Sequence, residues 1–380
     1  MTARLSEEQQ SFVEAIRDFC KREAGTREQR NALSEGGREP HNQQLYERVA
    51  DLGWLGVGIP EEYGGAGGGM VDMCLFLEET GRGQLPIAAY AVTAIVGGAY
   101  QRFGTEEQRK EILGGIVRGR TEAIAMSEPD SGSDVGSMKC KAERRDGGFV
   151  INGHKTWISG AHHADHVLLV CRTDASGSKH EGLSMISVPR EAAGVEIRPI
   201  ETMGGREQND VFFNDCFVPA ENVLGQVDQA WMQLMAGLNV ERLIIAALIL
   251  GVGQRAFDDT LTYVKERKQF GRPIGSFQVL KHRIADMAIE LECARLLVYD
   301  VASKVDEDPT VLFPREASMA KIKATEVAKR VALEGMQMMG GNGYTTEYDM
   351  ERYVRQTIVS TVYGGTSEIQ REIVSKTFGL

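Results

Sequence analysis

Residues 238–251 have the sequence LNVERLIIAALILG, in which the charged pair Glu241 and Arg242 precedes a run of eight apolar residues. Because residues 243–250 are apolar on every side, a helix formed here is predicted to be buried rather than amphipathic. The run is far shorter than the ~20 residues that cross a bilayer. A carboxylate at its edge must pair, bind a ligand or take a raised pKa, as a general base near neutral pH requires. From this segment alone, a Glu at the helix N-terminus, stabilised by the helix dipole and a salt bridge, is preferred.

The size and charge of the chain limit the classes of protein to which it can belong. Its 380 residues predict two or three domains. A net charge of −11 without a basic block argues against nucleic acid as the main partner. Six scattered cysteines without a CxxC pair predict reduced thiols packed as small core residues. The N-terminal segment is too acidic for a transit peptide and lacks an apolar signal core, so a cytoplasmic location is expected.

The periodicity of the sequence changes twice, from helical to β and back to helical. Residues 1–121 are predicted to form a helical domain, with capping boxes at Ser6–Gln9 and Thr105–Gln108. Residues 122–230 are predicted to form a β domain, in which Asn152-Gly153 makes a type I′ hairpin turn. Further strands are predicted at 167–171, 183–188 and 211–217. Residues 231–380 are predicted to form a helical bundle, with helices at 231–266, 277–304, 314–340, 347–359 and from Ser367 onward.

Two motifs that suggest other kinds of site are rejected. The glycine-rich segment 59–69 does not match GxGxxG, because Met70 stands where the last glycine should be, so a tight loop between helices is predicted. His162, His163 and His166 lack a fourth ligand and are predicted to be exposed loop histidines rather than a metal site.

Four segments carry residues suited to binding or chemistry, although each also has an ordinary structural interpretation. Residues 125–137 (AMSEPDSGSDVGS) could hold a planar, acceptor-rich ring with hydroxyls and backbone amides, or form a surface loop. Residues 337–344 allow close backbone approach at their glycines, or form a helix C-cap and turn. The basic turn at 267–278 precedes a helix N-terminus and suits a phosphate, or is simply solvated. In 363–369, Thr366 is predicted to be a helix N-cap.

Together these segments resemble the acyl-CoA dehydrogenase family over nearly the whole chain. Residues 125–137 match the first family signature at every constrained position, and 337–352 match the second, except that its final acidic position is Gln356. Four other segments resemble family sequences in the expected order: 59–65, 153–159, 267–278 and 363–371. The resemblance implies an α+β acyl-CoA dehydrogenase-like fold with an N-terminal helical domain, a β-barrel-like middle domain and a C-terminal four-helix bundle.

The resemblance also implies an FAD-binding flavoprotein. The residues expected near the isoalloxazine ring are Met126, Ser127, Ser133, Trp157 and Ser159. Those expected at the pyrophosphate and adenosine are Arg267, Phe270, Gln278, Gln337 and Gly341, and Thr366 and Glu368 would complete the site. Substrate contacts are expected from Ser133, Asn239, Arg242 and Gly365. Since some family members complete this site with a neighbouring subunit, a homotetramer is implied, with an electron-transfer flavoprotein as electron acceptor.

One departure from the commonest family pattern concerns the catalytic base. Most relatives carry Tyr-Glu-Gly-Thr near the C-terminus, whereas this chain has Tyr363-Gly364-Gly365-Thr366. A minority, resembling the isovaleryl-CoA and long-chain enzymes, carries the base in a Glu-Arg-Leu sequence on the buried helix, which Glu241-Arg242-Leu243 matches. The resemblance therefore implies that Glu241 abstracts the α-proton of an acyl-CoA, while the N–H of Gly364 helps to polarise the thioester.

The implied reaction is oxidation of a fatty or branched acyl-CoA to trans-2-enoyl-CoA, as in fatty acid β-oxidation. The sequence also bears on three alternative functions. A non-catalytic partner subunit is disfavoured by Glu241, and an oxidase or flavin monooxygenase on the same fold by the short chain. A DNA-associated relative is disfavoured by the charge of −11. The acyl chain stays open between short branched, long straight, and steroid or polyketide side chains.

Overall fold

The structure is a computed structural model that describes residues 5–380, apart from the side chains of Ala236, Leu238 and Asn239. The helices are α1 (Glu7–Ala24), α2 (Arg27–Leu33), α3 (Gln43–Asp51), α4 (Met70–Arg82), α5 (Ala89–Phe103), α6 (Glu106–Val117), α7 (Ala230–Glu266), α8 (Gln278–Glu307), α9 (Pro314–Met339), α10 (Gly341–Tyr344), α11 (Met350–Ser360) and α12 (Ser367–Lys376). The strands are β1 (Glu122–Ala125), β2 (Lys141–Arg145), β3 (Gly148–Ser159), β4 (His166–Arg172), β5 (Leu183–Pro189), β6 (Val195–Thr202), β7 (Gly205–Pro219), β8 (Val223–Leu224), β9 (Lys268–Gln269) and β10 (Arg272–Pro273).

The chain divides into two compact units. Unit 1 contains the residues up to Gly37, 69–85 and 241–380, and is helical apart from the short hairpin β9–β10. Unit 2 contains 38–68 and 86–240, with α3, α5, α6 and strands β1–β8. The expected combination of helical and β regions is confirmed. The predicted domain divisions after residues 121 and 230 stay a sequence-based prediction.

In unit 2, eight strands form one sheet with α5 and α6 packed on it. The strand order is β6-β7-β3-β2-β4-β5-β8, and β1 pairs in parallel with β4. Strand β4 is buried on both faces: Val167, Leu169 and Cys171 enter one apolar cluster, whereas Leu168 and Val170 enter another. The second cluster also contains Val96 of α5 and Ile112 of α6. This two-sided burial explains why β4 is a continuous apolar run rather than an alternating one.

The predicted turn at Asn152-Gly153 is wrong. Strand β3 runs through both residues, and its register against β7 shifts between Ile151 and Gly153, as in a β-bulge. A Cβ at Gly153 would lie 2.5 Å from Cys140 Sγ, so the close packing of Cys140, the residue before β2, explains the glycine. The hairpin turn lies instead at Asp146-Gly147, between β2 and β3, where Gly147 has φ +80°.

The helix boundaries largely follow the predicted signals. The capping boxes at Ser6–Gln9 and Thr105–Gln108 are both present and start α1 and α6. The predicted helices at 231–266, 277–304 and 314–340 correspond to α7, α8 and α9. Residues 64–69 form a loop, as expected, after which α4 begins at Met70.

Helix α7 packs against α4 at two glycines in unit 1. A Cβ at Gly251 would lie 2.0 Å from the Glu78 carbonyl oxygen, and one at Gly81 would lie 2.4 Å from that of Leu248. Both helices therefore approach each other closely because these positions lack side chains. By length and composition alone α7 could cross a membrane, although 67% of its most apolar window is buried in the protein. In the described part of the chain it is the single helix of this kind.

The N-terminus of α4 is capped from another helix of unit 1. The Asp306 carboxylate, near the end of α8, accepts from the N–H groups of Met70 at 2.5 Å and Val71 at 2.9 Å. Two of the donors left free at a helix start are thereby satisfied, and a negative charge lies at the positive end of the helix dipole. An exposed aspartate near the end of α8 thus caps the first turn of α4.

We predict that Asp306→Ala lowers the free energy of unfolding by about 1–2 kcal/mol, because it removes this cap. Asp300→Ala is the matched control, since Asp300 lies on the same helix and its ion pair among the described residues is an exposed i,i+4 pair with Lys304. Urea unfolding followed by circular dichroism measures both variants. Equal losses of about 0.5 kcal/mol or less would contradict the capping role.

Candidate active site

Glu241 lies inside α7, eleven residues after the first helical residue, Ala230. The expectation that it stands at the helix N-terminus is therefore wrong, because the favourable effect of the helix dipole is confined to the first turn. Burial raises the pKa of the Glu241 carboxyl group, while the positive charges of Arg242 and Lys321 act in the opposite direction. The site thus contains a partly buried carboxylate whose pKa is shifted toward the range of a general base.

Gly364 lies beside this carboxylate. A Cβ at Gly364 would lie 3.5 Å from Glu241 Oε1 and only 2.3 Å from Ile245 Cδ1. Gly364 also has φ +61°, a conformation that residues with side chains rarely adopt. The carboxylate of Glu241 therefore occupies the neighbourhood that a side chain at position 364 would enter.

Two side chains hold the carbonyl groups of the turn that contains Gly364. Lys321 of α9 is fully buried, and its Nζ donates to the carbonyls of Tyr363 and Gly365, both at 2.8 Å. Gln370 Nε2 donates to the Gly364 carbonyl at 2.8 Å. Within residues 5–380, no backbone acceptor receives the N–H of Gly364. The turn thus has fixed carbonyls and an available donor next to Glu241.

Neither Lys321 nor Gln370 was identified from the sequence. The available signal was the position of Lys321 on an alanine-rich helix face, since Ala317, Ala324 and Ala328 are all fully buried. A lysine spaced three, four or seven residues from such positions lies on the buried side of α9.

The other predicted residues of this region lie on α7 or near α12. Thr366 is the N-cap of α12, as predicted, and accepts from the N–H of Ile369 at 3.3 Å. Glu368 is exposed in the first turn of α12, and Gly365 has φ +78°. Arg242 is buried beside Glu241 on α7. The side chain of Asn239, a predicted substrate contact, lies outside the described residues.

In unit 2, the predicted segments around Ser127 and Trp157 are adjacent. The N–H of Thr156 donates to the Ser127 carbonyl at 3.0 Å, and Lys155 Nζ donates to the Met126 carbonyl at 2.8 Å. The side chain of Trp157 is 60% exposed and its φ is +63°. A large exposed ring in a conformation unfavourable for a branched or bulky residue indicates a site that contacts a ligand.

A buried ion pair fixes this arrangement. Lys155 and Glu128 lie 2.8 Å apart, and the Glu128 carboxylate also accepts from the N–H groups of Lys139 and Cys140 at 2.6 and 2.8 Å. Because nearly all of the polar atoms are paired, the charges are tolerated in the interior. Of the remaining predicted residues, Ser159 receives a bond from Gln208 at 3.0 Å, and Ser133 is exposed in the same loop as Ser127.

The predicted phosphate-binding residues of unit 1 lie on exposed backbone. Hairpin β9–β10 turns at Phe270 and Gly271, whose φ values are +52° and +79°, and the Phe270 ring is 91% exposed. Asn342 donates to the Tyr263 hydroxyl at 2.9 Å and so connects the turn after α9 to the end of α7. The other residues predicted to contact the pyrophosphate and adenosine are exposed as well: Arg267, Gln278, Gln337 and Gly341.

The histidine cluster in unit 2 differs from its prediction. His162 and His163 are partly buried, each 3.8 Å from Glu39 Oε2, while His166 contacts Arg120 instead. The three side chains of Glu39, His162 and His163 could offer ligand atoms to a metal. However, Arg206 lies 2.6 Å from Glu39, and its guanidinium neutralises the one carboxylate of the group. A dication would be poorly compensated there, so we assign no metal to the cluster.

We predict that Gly364→Ala lowers the free energy of unfolding by about 1–3 kcal/mol, because its Cβ would overlap Ile245. Gly36→Ala is the control: Gly36 has φ +71°, yet nothing lies within 4 Å of an added Cβ. The double variant Gly364→Ala with Ile245→Val should recover part of the loss, since it removes the overlapping methyl group. Chemical denaturation tests this, and equal costs for both glycines would contradict the close packing.

The comparisons with known proteins agree with this geometry. Profiles of the acyl-CoA dehydrogenase N-terminal, middle and C-terminal domains match residues 6–120, 123–216 and 228–379. The mitochondrial isovaleryl-CoA dehydrogenase of Solanum tuberosum is 35% identical over 97% of this chain and 90% of its own length. The caffeyl-CoA reductase-Etf complex subunit CarC of Acetobacterium woodii is 36% identical over 98% of both chains.

A solved structure agrees as well. An acyl-CoA dehydrogenase from Geobacillus kaustophilus superposes with a TM-score of 0.94 and 32% identity over the full length of both chains. The family is FAD-dependent, and its members catalyse oxidation and reduction of acyl-CoA thioesters. This chain belongs to the acyl-CoA dehydrogenase family.

Proposed function

We propose that the protein oxidises an acyl-CoA to its trans-2-enoyl-CoA with Glu241 as the base that removes the α-proton. The observation that carries the proposal is the 3.5 Å between Glu241 Oε1 and the place of a Cβ on Gly364. The commonest family pattern has a glutamate at position 364. A carboxylate from α7 reaches the same neighbourhood from a different backbone position. The chain would therefore keep a base although position 364 is a glycine.

The residues available for FAD fit a flavin. Hydroxyl and backbone groups of Met126, Ser127, Ser133 and Ser159 lie in segments adjoining the exposed Trp157 ring, which suits a planar and acceptor-rich ligand. The exposed Phe270 and Arg267 suit the pyrophosphate and adenosine parts, together with Gln278, Gln337, Gly341, Thr366 and Glu368. FAD, when bound, would accept the hydride that leaves the substrate β-carbon.

The residues of the chain would lower the cost of removing a weakly acidic proton. The N–H of Gly364 would donate to the thioester oxygen, where negative charge develops as the α-proton leaves. Glu241 would take that proton, and its raised pKa makes the transfer less unfavourable than it would be for an exposed carboxylate. Arg242, Gly365 and Asn239 are assigned to substrate contact.

The substrate class is proposed from the kind of base. Relatives with the base on the buried helix act on branched short chains or on long chains, and the isovaleryl-CoA dehydrogenase of potato is one named relative. The reductase name of the Acetobacterium relative favours a second candidate, namely reduction of a 2-enoyl-CoA at the same site. The same carboxylate would then return a proton to the α-carbon, because a catalyst acts in both directions.

We propose an electron-transfer flavoprotein as redox partner, because the CarC relative is named as part of an Etf complex. A cytoplasmic location is proposed from the reduced state of the thiols, of which five are buried. A homotetramer is proposed because apolar side chains stand on the surface of this chain: Phe270, Val279 and Ile289 are 91%, 65% and 59% exposed.

We predict that sedimentation equilibrium gives a particle of four 41.8 kDa chains. Phe270→Ser should weaken the assembly or its FAD content, because it removes the most exposed of these apolar side chains. Tyr344→Ser, which removes another highly exposed ring, is the control for surface hydrophobicity. A wild-type protein that is monomeric at every concentration would contradict the proposal.

We predict that anaerobic addition of a suitable acyl-CoA bleaches the visible flavin band of the wild type but not that of Glu241→Gln. Acyl-CoAs of several lengths and branchings should be compared, since the best one reports the substrate class. The variant should melt at an equal or higher temperature at pH 7.5. Burial raises the pKa of Glu241 in the fold, so folding favours its neutral form, and a neutral amide carries no buried charge.

Each other outcome of this titration has a definite meaning. Bleaching that survives in Glu241→Gln would show that another group is the base. A flavin that only 2-enoyl-CoA reoxidises, after chemical reduction, would favour the reductase. A yellow protein that responds to neither ligand would indicate a non-catalytic partner subunit.

A further inference from the structure

We propose that Lys321 is a positioning residue that orients the N–H of Gly364 toward the substrate thioester. The inference rests on the proposed function. It assigns a role to a residue that contacts neither substrate nor cofactor in that function, and it is carried by the hydrogen bonds of one buried side chain.

The geometry of the peptide bond connects Lys321 to the Gly364 donor. The carbonyl of Tyr363 and the N–H of Gly364 belong to the same peptide group, which is trans and planar, so they point in opposite directions. Lys321 Nζ holds this carbonyl at 2.8 Å. Fixing the carbonyl therefore fixes the direction of the N–H.

The ammonium group of Lys321 also binds a second carbonyl of the turn. It donates to the Gly365 carbonyl at 2.8 Å, on the other side of Gly364. Because glycine residues at 364 and 365 have φ values of +61° and +78°, this backbone has unusually few internal restraints. The hydrogen bonds from Lys321 to the carbonyls before and after Gly364 therefore restrain the backbone of this turn.

The charge of Lys321 is poorly explained by stability alone. The side chain is fully buried, and in the described residues its hydrogen bonds go to these two carbonyls and to no carboxylate. Burial lowers the pKa of Lys321 to about 8, which shows that the fold disfavours the charged form. A buried charge kept at such a cost is expected to serve another purpose.

That purpose follows from polarisation. A positive charge bonded to a carbonyl oxygen withdraws electron density from its peptide group and strengthens the N–H of the same group as a donor. Lys321 would therefore make the N–H of Gly364 a better donor when negative charge develops on the thioester oxygen. It would also place a positive charge near Glu241, whose pKa it lowers.

The test compares Lys321→Met with Lys323→Met. Both lysines lie on α9, but Lys323 is partly exposed and pairs with Glu290 at the surface. In Lys321→Met we expect the single-turnover rate of flavin reduction to fall by about 10–100-fold, a smaller loss than removing a donor outright. The Kd for CoA alone should change less than twofold, and Lys323→Met should match the wild type.

A second readout is independent of the rate. A 3-oxoacyl-CoA forms an enolate whose oxygen carries the charge that the Gly364 N–H would stabilise. Its affinity should fall by about tenfold or more in Lys321→Met, while the affinity for CoA is unchanged. A purely structural role would weaken both ligands equally or leave both unaltered.

A third readout uses the wild type and so does not depend on folding of a variant. Raising the pH above about 8 should neutralise Lys321 and slow flavin reduction without displacing CoA. The charged groups that act on Lys321 are Glu241 and Arg242 of α7, Glu326 of α9 and Glu368 of α12. The pKa values of Glu326 and Glu368 are lowered, so both stay ionised above pH 7, and Arg242 stays protonated. Burial raises the pKa of Glu241, but loss of its proton would speed the reaction because it frees the base, so a fall in rate with rising pH reports Lys321.

Two results would overturn the inference. One is a Lys321→Met protein that reduces its flavin as fast as Lys323→Met, with unaltered affinity for the 3-oxoacyl-CoA. The other is a wild-type rate that does not fall between pH 8 and pH 9.5. Failure of the proposed function is distinguishable, because the wild-type flavin would then not be reduced by any acyl-CoA.

Discussion

The candidate site depends on one close approach in unit 1, between α7 and the turn at residues 363–365. A Cβ at Gly364 would overlap Ile245 and would lie 3.5 Å from Glu241 Oε1. The absence of a side chain on the turn therefore has two consequences. It makes room for α7, and it leaves the carboxylate of Glu241 beside a backbone N–H. A base and a hydrogen-bond donor are thus brought together without a side chain at 364.

The surrounding structure keeps charged groups buried at a cost. Burial raises the pKa of Glu241 and lowers that of Lys321, so each group is less stable in its ionised form than it would be in water. The cost is offset in part because Arg242 and Lys321 are positive beside Glu241, and because Lys321 donates to two backbone carbonyls. Such shifts are characteristic of sites where reactivity, rather than stability, determines the choice of residue.

The sequence was most informative where a pattern had a single structural meaning. The capping boxes, the long helices and the apolar run of β4 were predicted because each follows from local hydrogen bonding or periodicity. Asn152-Gly153 was misassigned because two turn pairs lie close together, and only the packing of β2 selects Asp146-Gly147. The apolar run at 243–250 alone puts Glu241 at a helix start, whereas the helix predicted at 231–266, which α7 confirms, puts it well inside.

The candidate site was predictable only in part. The substitution of Gly364 for the usual glutamate and the presence of Glu241 were visible in the sequence, but their proximity required coordinates. Lys321 and Gln370 were missed because their partners are backbone carbonyls, which no side-chain pattern reveals. The acyl chain and the redox partner stay proposals for the same reason.

A structure of the protein with FAD and a non-reactive acyl-CoA analogue would test the central claim most directly. We predict that a Glu241 carboxylate oxygen lies about 3–3.5 Å from the substrate α-carbon. The N–H of Gly364 should lie within hydrogen-bond distance of the thioester oxygen. A complex in which the α-carbon faces another titratable group, with Glu241 turned away from it, would contradict the relocation of the base to α7.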